Sequence, residues 1–172
     1  MRRSKPNLLD EASLYDYAIA ALGRRMHSVA ELKRKLRIRC PEETTIERVV
    51  ARLKEHKYLN DAGYAAAYSA LRRDNQKFGR RRVTTDLKVK GVHADVIEKA
   101  VDEAYSSVNE NRQARAFLAR KRLKKPQNNR EAARIFRALM RAGFGMATSV
   151  AILKTWNVDD EVLTAFQEEI EQ

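Results

Sequence analysis

The chain predicts an all-α fold of three tandem three-helix repeats of about fifty residues, and three observations carry that expectation. The first is a spacing that returns twice. Leu32, Leu36, Ile46, Val49, Val50 and Leu53 recur 51 residues on as Val83, Leu87, Ile97, Ala100, Val101 and Ala104. A further step of 52 reaches Ile135, Leu139, Ser149, Ile152, Leu153 and Trp156, with one polar mismatch at Ser149. Repeats of this length mark stacked supersecondary units. The second is a set of helix stops in register. Cys40, Gly91 and Gly143 hold matching places after the second helix of each repeat, where glycine takes a left-handed conformation without steric cost. The third is the period itself. Apolar residues recur at helical spacing, no window alternates over a strand's length, and six glycines with three prolines leave few breaks for a turn-rich β-protein.

Residues 1–9 read as a disordered basic arm. Repeat 1 spans residues 10–59, and Leu14, Ala18, Ala21 and Leu22 give it a first helix over about Asp10 to Arg25. Ser28 and Glu31 form a capping box, the serine accepting from a first-turn amide while the glutamate reaches back. Val29, Leu32 and Leu36 follow on one face of a second helix. It ends at Cys40 and Pro41, because proline disfavours helical geometry in the residue before it. Ile46, Val49, Val50 and Leu53 mark a third helix ending near Tyr58 and Leu59. Repeat 2, residues 60–108, opens with Asn60 or Asp61 as N-cap of a helix carrying Tyr64, Ala65, Tyr68 and Leu71. Gly79 leads into the helix of Val83 and Leu87, and Val96, Ile97, Ala100, Val101 and Ala104 complete the repeat. Repeat 3, residues 109–158, places Ala114, Phe117 and Leu118 on its first helix, then a polar linker from Pro126 to Asn129. Ile135, Phe136 and Leu139 mark its second helix, and Val150, Ile152, Leu153 and Trp156 its third. Residues 159–172 are an acidic C-terminal segment, either a final short helix or a frayed tail. A fifty-residue bundle is marginal alone and leans on its neighbours.

Charge narrows the function classes. The net charge is +12 and is unevenly placed. Leu71–Lys90 carries eight basic and two acidic side chains, Arg112–Lys125 carries seven basic and none acidic, and Asp159–Gln172 carries six acids and no base. Fields of this kind attract polyanions, so nucleic acid, or an assembly containing it, is the expected partner. Nothing approaches eighteen unbroken apolar residues, so no membrane partner is expected. No apolar segment follows Arg2, Arg3 and Lys5, which argues against a secretory leader. Cys40 is the single cysteine; it excludes an internal disulfide and fits a reducing cytoplasm.

Catalysis finds little support. His27, His56 and His93 lack metal-ligand spacing and read as surface or helix-end histidines. Arg37 and Arg39 give Cys40 basic neighbours, as reactive thiols have, yet its place at a helix stop reads as structural. There is no phosphate-cradling glycine motif and no nucleophile elbow, so no enzyme activity, metal or cofactor is expected. Tyr64, Tyr68 and Trp156 read as core. Phe78 stands in a loop among cations, where it either meets a base or partner or pins the loop onto the bundle. The candidate contacts are cationic. Arg72, Arg73, Lys77, Arg80, Arg81 and Arg82 surround one helix–loop–helix junction with Phe78, and Lys88 and Lys90 follow. Arg115, Arg120, Lys121, Arg122, Lys124 and Lys125 lie on and after the next helix. A phosphate backbone needs many cations at modest precision, whereas base readout needs a few rigid side chains. The pattern favours sequence-independent contact with single- or double-stranded DNA.

From about Leu14 to Asp159 the chain resembles the RecX family, bacterial modulators of the RecA recombinase. The resemblance rests on His27-Ser28 with Glu31-Leu32 and Lys35-Leu36, then on Tyr58-Leu59-Asn60-Asp61 leading into Tyr64-Ala65. Its most specific part is Phe78-Gly79 with Arg82-Val83, Asp86-Leu87 and Lys90-Gly91-Val92, echoed more weakly by Arg141, Gly143 and Phe144. Lys57 stands where a glycine is usual, Phe78 replaces the commoner tyrosine, and Cys40 replaces a glycine. The resemblance implies an elongated, curved array lying in the groove of the RecA–DNA filament. It further implies inhibition of strand exchange and of ATP hydrolysis, by blocking filament growth or capping its end. The expected protein is a monomeric, cytoplasmic, non-enzymatic regulator. A free-standing helix-turn-helix DNA-binding protein and an α-helical adaptor without nucleic acid are the alternatives.

Overall fold

The computed structural model describes residues 8–171, so the basic arm expected over residues 1–9 lies outside the described residues save Leu8 and Leu9. Among the described residues there are ten helices and no strand. They are α1 (Glu11–Arg24), α2 (Val29–Arg37), α3 (Glu43–Glu55), α4 (Asp61–Gln76), α5 (Arg80–Val89), α6 (Ala94–Tyr105), α7 (Glu110–Arg120), α8 (Asn129–Arg141), α9 (Met146–Lys154) and α10 (Asp160–Glu171).

Side-chain oxygens start many of these helices, satisfying amides that have no partner within the helix. Asp10 accepts from the Ser13 amide at 2.9 Å, and Ser28 and Glu31 complete the capping box of α2. Asn109 and Asn128 serve α7 and α8 in the same way. The choice left open at α4 resolves to Asn60, whose Oδ1 accepts from the Ala62 and Gly63 amides. Asp61 instead ties α4 to α2, its carboxylate accepting from the Val29 amide at 2.8 Å.

The described residues divide into two compact units. One runs to Ala65 and takes in Leu87–Ile97; the other joins Ala66–Asp86 to Glu98 and onward. In the first unit, α1 and α2 pack on α3 around Leu14, Leu32, Leu36, Ile46 and Leu53, each fully buried. Burying a side chain of this size contributes about 1.5–3 kcal/mol. A polar cluster adds to the core. Glu31 accepts from Lys90 Nζ at 3.1 Å, from Tyr64 Oη at 3.2 Å and from the Ser28 amide at 3.3 Å. Ser28 Oγ donates to the Lys90 carbonyl at 2.6 Å. Burial pushes the Glu31 carboxyl up, but hydrogen bonds from Lys90, Arg25 and the Ser28 amide outweigh it and bring its pKa down to about 2.

Two details differ from expectation. His27 ends its loop as expected but is buried, at 3% exposure, rather than on the surface. Cys40 is buried at its helix stop without taking the left-handed conformation. Gly91 and Gly143 have φ of 75° and 89°, and the next amide returns to the carbonyls of Leu87 and Leu139. At Cys40 its own amide bonds back to Leu36 at 2.9 Å, and Pro41 then turns the chain away. Cysteine carries a Cβ that disfavours positive φ, so the same register is reached by another backbone route.

In the second unit α7, α8, α9 and α10 enclose Phe117, Phe136, Leu139, Phe144, Ile152 and Leu153. The acidic segment is a helix whose Leu163 and Phe166 enter this core, with Phe166 stacked on Phe136 at 5.5 Å. The mismatch at Ser149 is fully buried, and its hydroxyl donates to the Gly145 carbonyl at 3.0 Å. Polar satisfaction replaces apolar burial at that position. Gly79 and Gly143 meet backbone to backbone: the Gly79 amide donates to Ala142 at 2.8 Å, and a Cβ on either glycine would overlap the other segment.

Candidate nucleic-acid interface

The structure sorts the expected cations by what surrounds them. Several serve the fold. Arg73 pairs with Asp74 at 2.7 Å and donates to the Ala104 carbonyl at the end of α6. Arg72 lies over the Tyr68 ring at 4.7 Å and bonds to Gln76. Arg80 pairs with Asp102, and Lys90 with Glu31. Lys77 closes α4 in the left-handed region at φ 58°. Lys88 is exposed on α5. It and Lys90 belong to the first unit, which holds none of the other candidates.

The other cluster is different in kind. Arg115, Arg120, Lys121, Arg122, Lys124 and Lys125 are all exposed on α7 and the loop after it, as is Arg112. Among the described residues no acidic side chain pairs with any of these seven. Arg81 is likewise exposed without an ionic partner among them. Unpaired, solvated cations are available to neutralise phosphates, and release of the counterions condensed on the nucleic acid is what drives such contact.

Phe78 ends between its two readings. Its ring packs on Phe117 at 6.2 Å, Arg82 lies over it at 5.7 Å, and its carbonyl accepts from Tyr105 Oη at 2.9 Å. That pins the loop. Yet Phe78 also lines an open groove of about 380 Å³ with Arg82, Lys121, Leu123 and Arg141. The groove brings together one member of each expected cluster: Arg82 at the start of α5 and Lys121 at the end of α7. Arg82 also pairs with Asp86 at 2.9 Å and donates to the Arg141 carbonyl at 3.3 Å.

Sequence reasoning missed the outer face of α8. Arg130, Arg134, Arg137 and Arg141 are exposed and spaced four, three and four apart. At 100° per residue these positions share one stripe about 16 Å long, opposite buried Ala132, Ile135, Phe136 and Leu139. The signal is a polar periodicity, which interspersed apolar residues dilute in any local charge count. Among the described residues no three His, Cys, Asp or Glu side chains gather as metal ligands would.

Across 144 residues the chain is 35% identical to the regulatory protein RecX of Leptothrix cholodnii, covering 84% of this chain and 87% of that protein. The chain belongs to the RecX family. Residues 15–53 match the RecX first three-helix domain and residues 60–101 the second. The RecX protein of Deinococcus radiodurans is 34% identical over 146 residues, covering 84% of this chain and 68% of that protein. A crystal structure of RecX from Lactobacillus salivarius superposes with a TM-score of 0.64 at 19% identity, covering 86% of this chain and 96% of that one. At that identity the likeness speaks for the fold. Five of the residues that carry the RecX resemblance in the first unit, Ser28, Glu31, Asp61, Tyr64 and Lys90, form its partly buried polar cluster. Their hydrogen bonds tie α2 to the start of α4 and the end of α5. The family is named for a regulatory role, and no described helix is long and apolar enough to cross a membrane.

Proposed function

We propose that this RecX-family protein regulates the RecA recombinase by binding the RecA–DNA filament and slowing strand exchange, ATP hydrolysis and filament growth. The observation that carries the reading is the unpaired cationic surface of α7 and its following loop, with the exposed arginines of α8, in a chain whose relatives are regulatory RecX proteins. A filament on DNA offers a regular polyanion, and such a surface suits it without base readout. The hydrolytic chemistry stays with the recombinase. This protein contributes occupancy, as a monomer in the bacterial cytoplasm, with sequence-independent contacts to phosphates and acidic partner surface.

ATP turnover by purified RecA on single-stranded DNA, with this protein titrated in, tests the proposal. Turnover should fall as the protein is added. Turnover unchanged at saturating protein, with RecA loaded on DNA beforehand or added afterwards, would rule it out. The rival reading, a free-standing helix-turn-helix protein, calls for saturable binding to one duplex sequence.

A further inference from the structure

From the groove at the end of α8 we infer a binding site for one unstacked nucleotide of a single polynucleotide strand, whose phosphates run along the α8 arginines. The inference rests on the reading of this surface as a nucleic-acid interface and deepens it by naming the form of nucleic acid. Three observations converge. The groove, about 380 Å³, falls within the roughly 300–1,000 Å³ of small-ligand clefts, large enough for a nucleotide and too small for a duplex. Its floor is apolar, with Phe78 and Leu123 partly buried against the core, and its rim is cationic, with Arg82, Lys121 and Arg141. No acidic residue lines it.

The surroundings supply the strand's path. Arg141 both lines the groove and ends the stripe that begins at Arg130. Four arginines over about 16 Å follow the contour of one extended strand, whose successive phosphates lie a helical turn or so apart. Lys121 and Arg141 have no ionic partner among the described residues, while Arg82, held by Asp86 over the Phe78 ring, offers a fixed guanidinium plane for a base. Aromatic and guanidinium faces stack any base, so the site is tolerant of sequence. A base paired in a duplex has no free face to offer it. The site therefore separates single from double strands without reading a code.

The test is fluorescence anisotropy with the full chain and three labelled probes of closely matched charge: a dodecamer of thymidylate, an abasic dodecamer of the same backbone, and a six-base-pair hairpin closed by a non-nucleotide linker. The thymidylate strand should bind about tenfold more tightly than the abasic one, as one stacked base contributes, and more tightly than the duplex. Phe78→Leu keeps apolar bulk against Phe117 while removing the ring. It should bring the thymidylate-to-abasic ratio close to one and leave the melting temperature within a few degrees of the parent. Lys121→Glu, at an exposed site, should weaken both single strands together. Equal affinity for the thymidylate and abasic strands, tighter binding of the duplex, or displacement of all three probes by poly-glutamate at matched charge would overturn the inference. Base discrimination in a protein that leaves RecA turnover untouched would sustain this site and defeat the filament proposal. Inhibition of RecA with no discrimination would do the reverse.

Discussion

Lys57 shows what a single residue contributes when the backbone asks for glycine. It closes α3 at φ 60°, and the amide of Tyr58 returns to the Leu53 carbonyl at 2.9 Å. A side chain in the left-handed region costs roughly 1–2 kcal/mol, offset in part by the greater freedom glycine has when unfolded. Lys57→Gly should therefore stabilise the fold by about 1 kcal/mol, read as a higher urea midpoint at unchanged slope. Glu31 sets the acid limit. Its carboxyl titrates at about 2 when folded and near 4.5 when free, so the folded state holds fewer protons between those values. The stability it contributes is present above pH 4.5 and is lost as the pH falls from there toward 2. His27 adds an earlier step: burial, with Arg25 and Lys35 nearby, holds its pKa below the ordinary 6.5. Folded His27 resists protonation, so stability begins to decline once the pH drops under 6.5. Urea unfolding measured across the range from neutral to strongly acidic pH should show both losses. Glu31→Gln should be less stable at neutral pH and should lack the steeper one.

At the scale of elements, α8 and α10 divide the work of the second unit. One face of α8 packs Phe136 and Leu139 into the core while the other carries its arginines to solvent. Arg130→Glu with Arg134→Glu should leave the melting temperature near the parent's and weaken oligonucleotide binding by about tenfold or more, since two exposed cations become acids. Reversing Arg73 instead should mainly destabilise, because its guanidinium bonds to Asp74 and to the end of α6. Unfolding and anisotropy on the same two variants separate the roles. α10 is tied down by Leu163 and Phe166. Phe166→Ala removes the stack on Phe136 and should cost about 3–5 kcal/mol in chemical denaturation, the usual toll of deleting a buried aromatic ring. A much smaller loss would mean that α10 is docked only weakly.

For the molecule as a whole, charge and register are the two governing quantities. With about six phosphates engaged, log affinity against log salt should fall with a slope of roughly −4 for a single strand and roughly −5 for a duplex. A slope near zero would remove nucleic acid from the account altogether. The apolar register is readable in advance because helical periodicity is a local property of the chain: of the eighteen repeat positions only Ala104 and Trp156 remain partly exposed. Capping at Ser28 and the stops at Gly91 and Gly143 are readable for the same reason, each depending on neighbours within a few residues. The charge bias, too, is a sum over residues and needs no coordinates. Tertiary structure alone decided which cations remain free. Arg80 and Lys90 look like Arg120 and Lys121 in composition, yet the first two face carboxylates 22 and 59 residues away, and the last two do not. Whether a charge is neutralised depends on distances of a few ångströms between segments remote in the chain, and Coulomb energy falls off too steeply for sequence spacing to stand in for them.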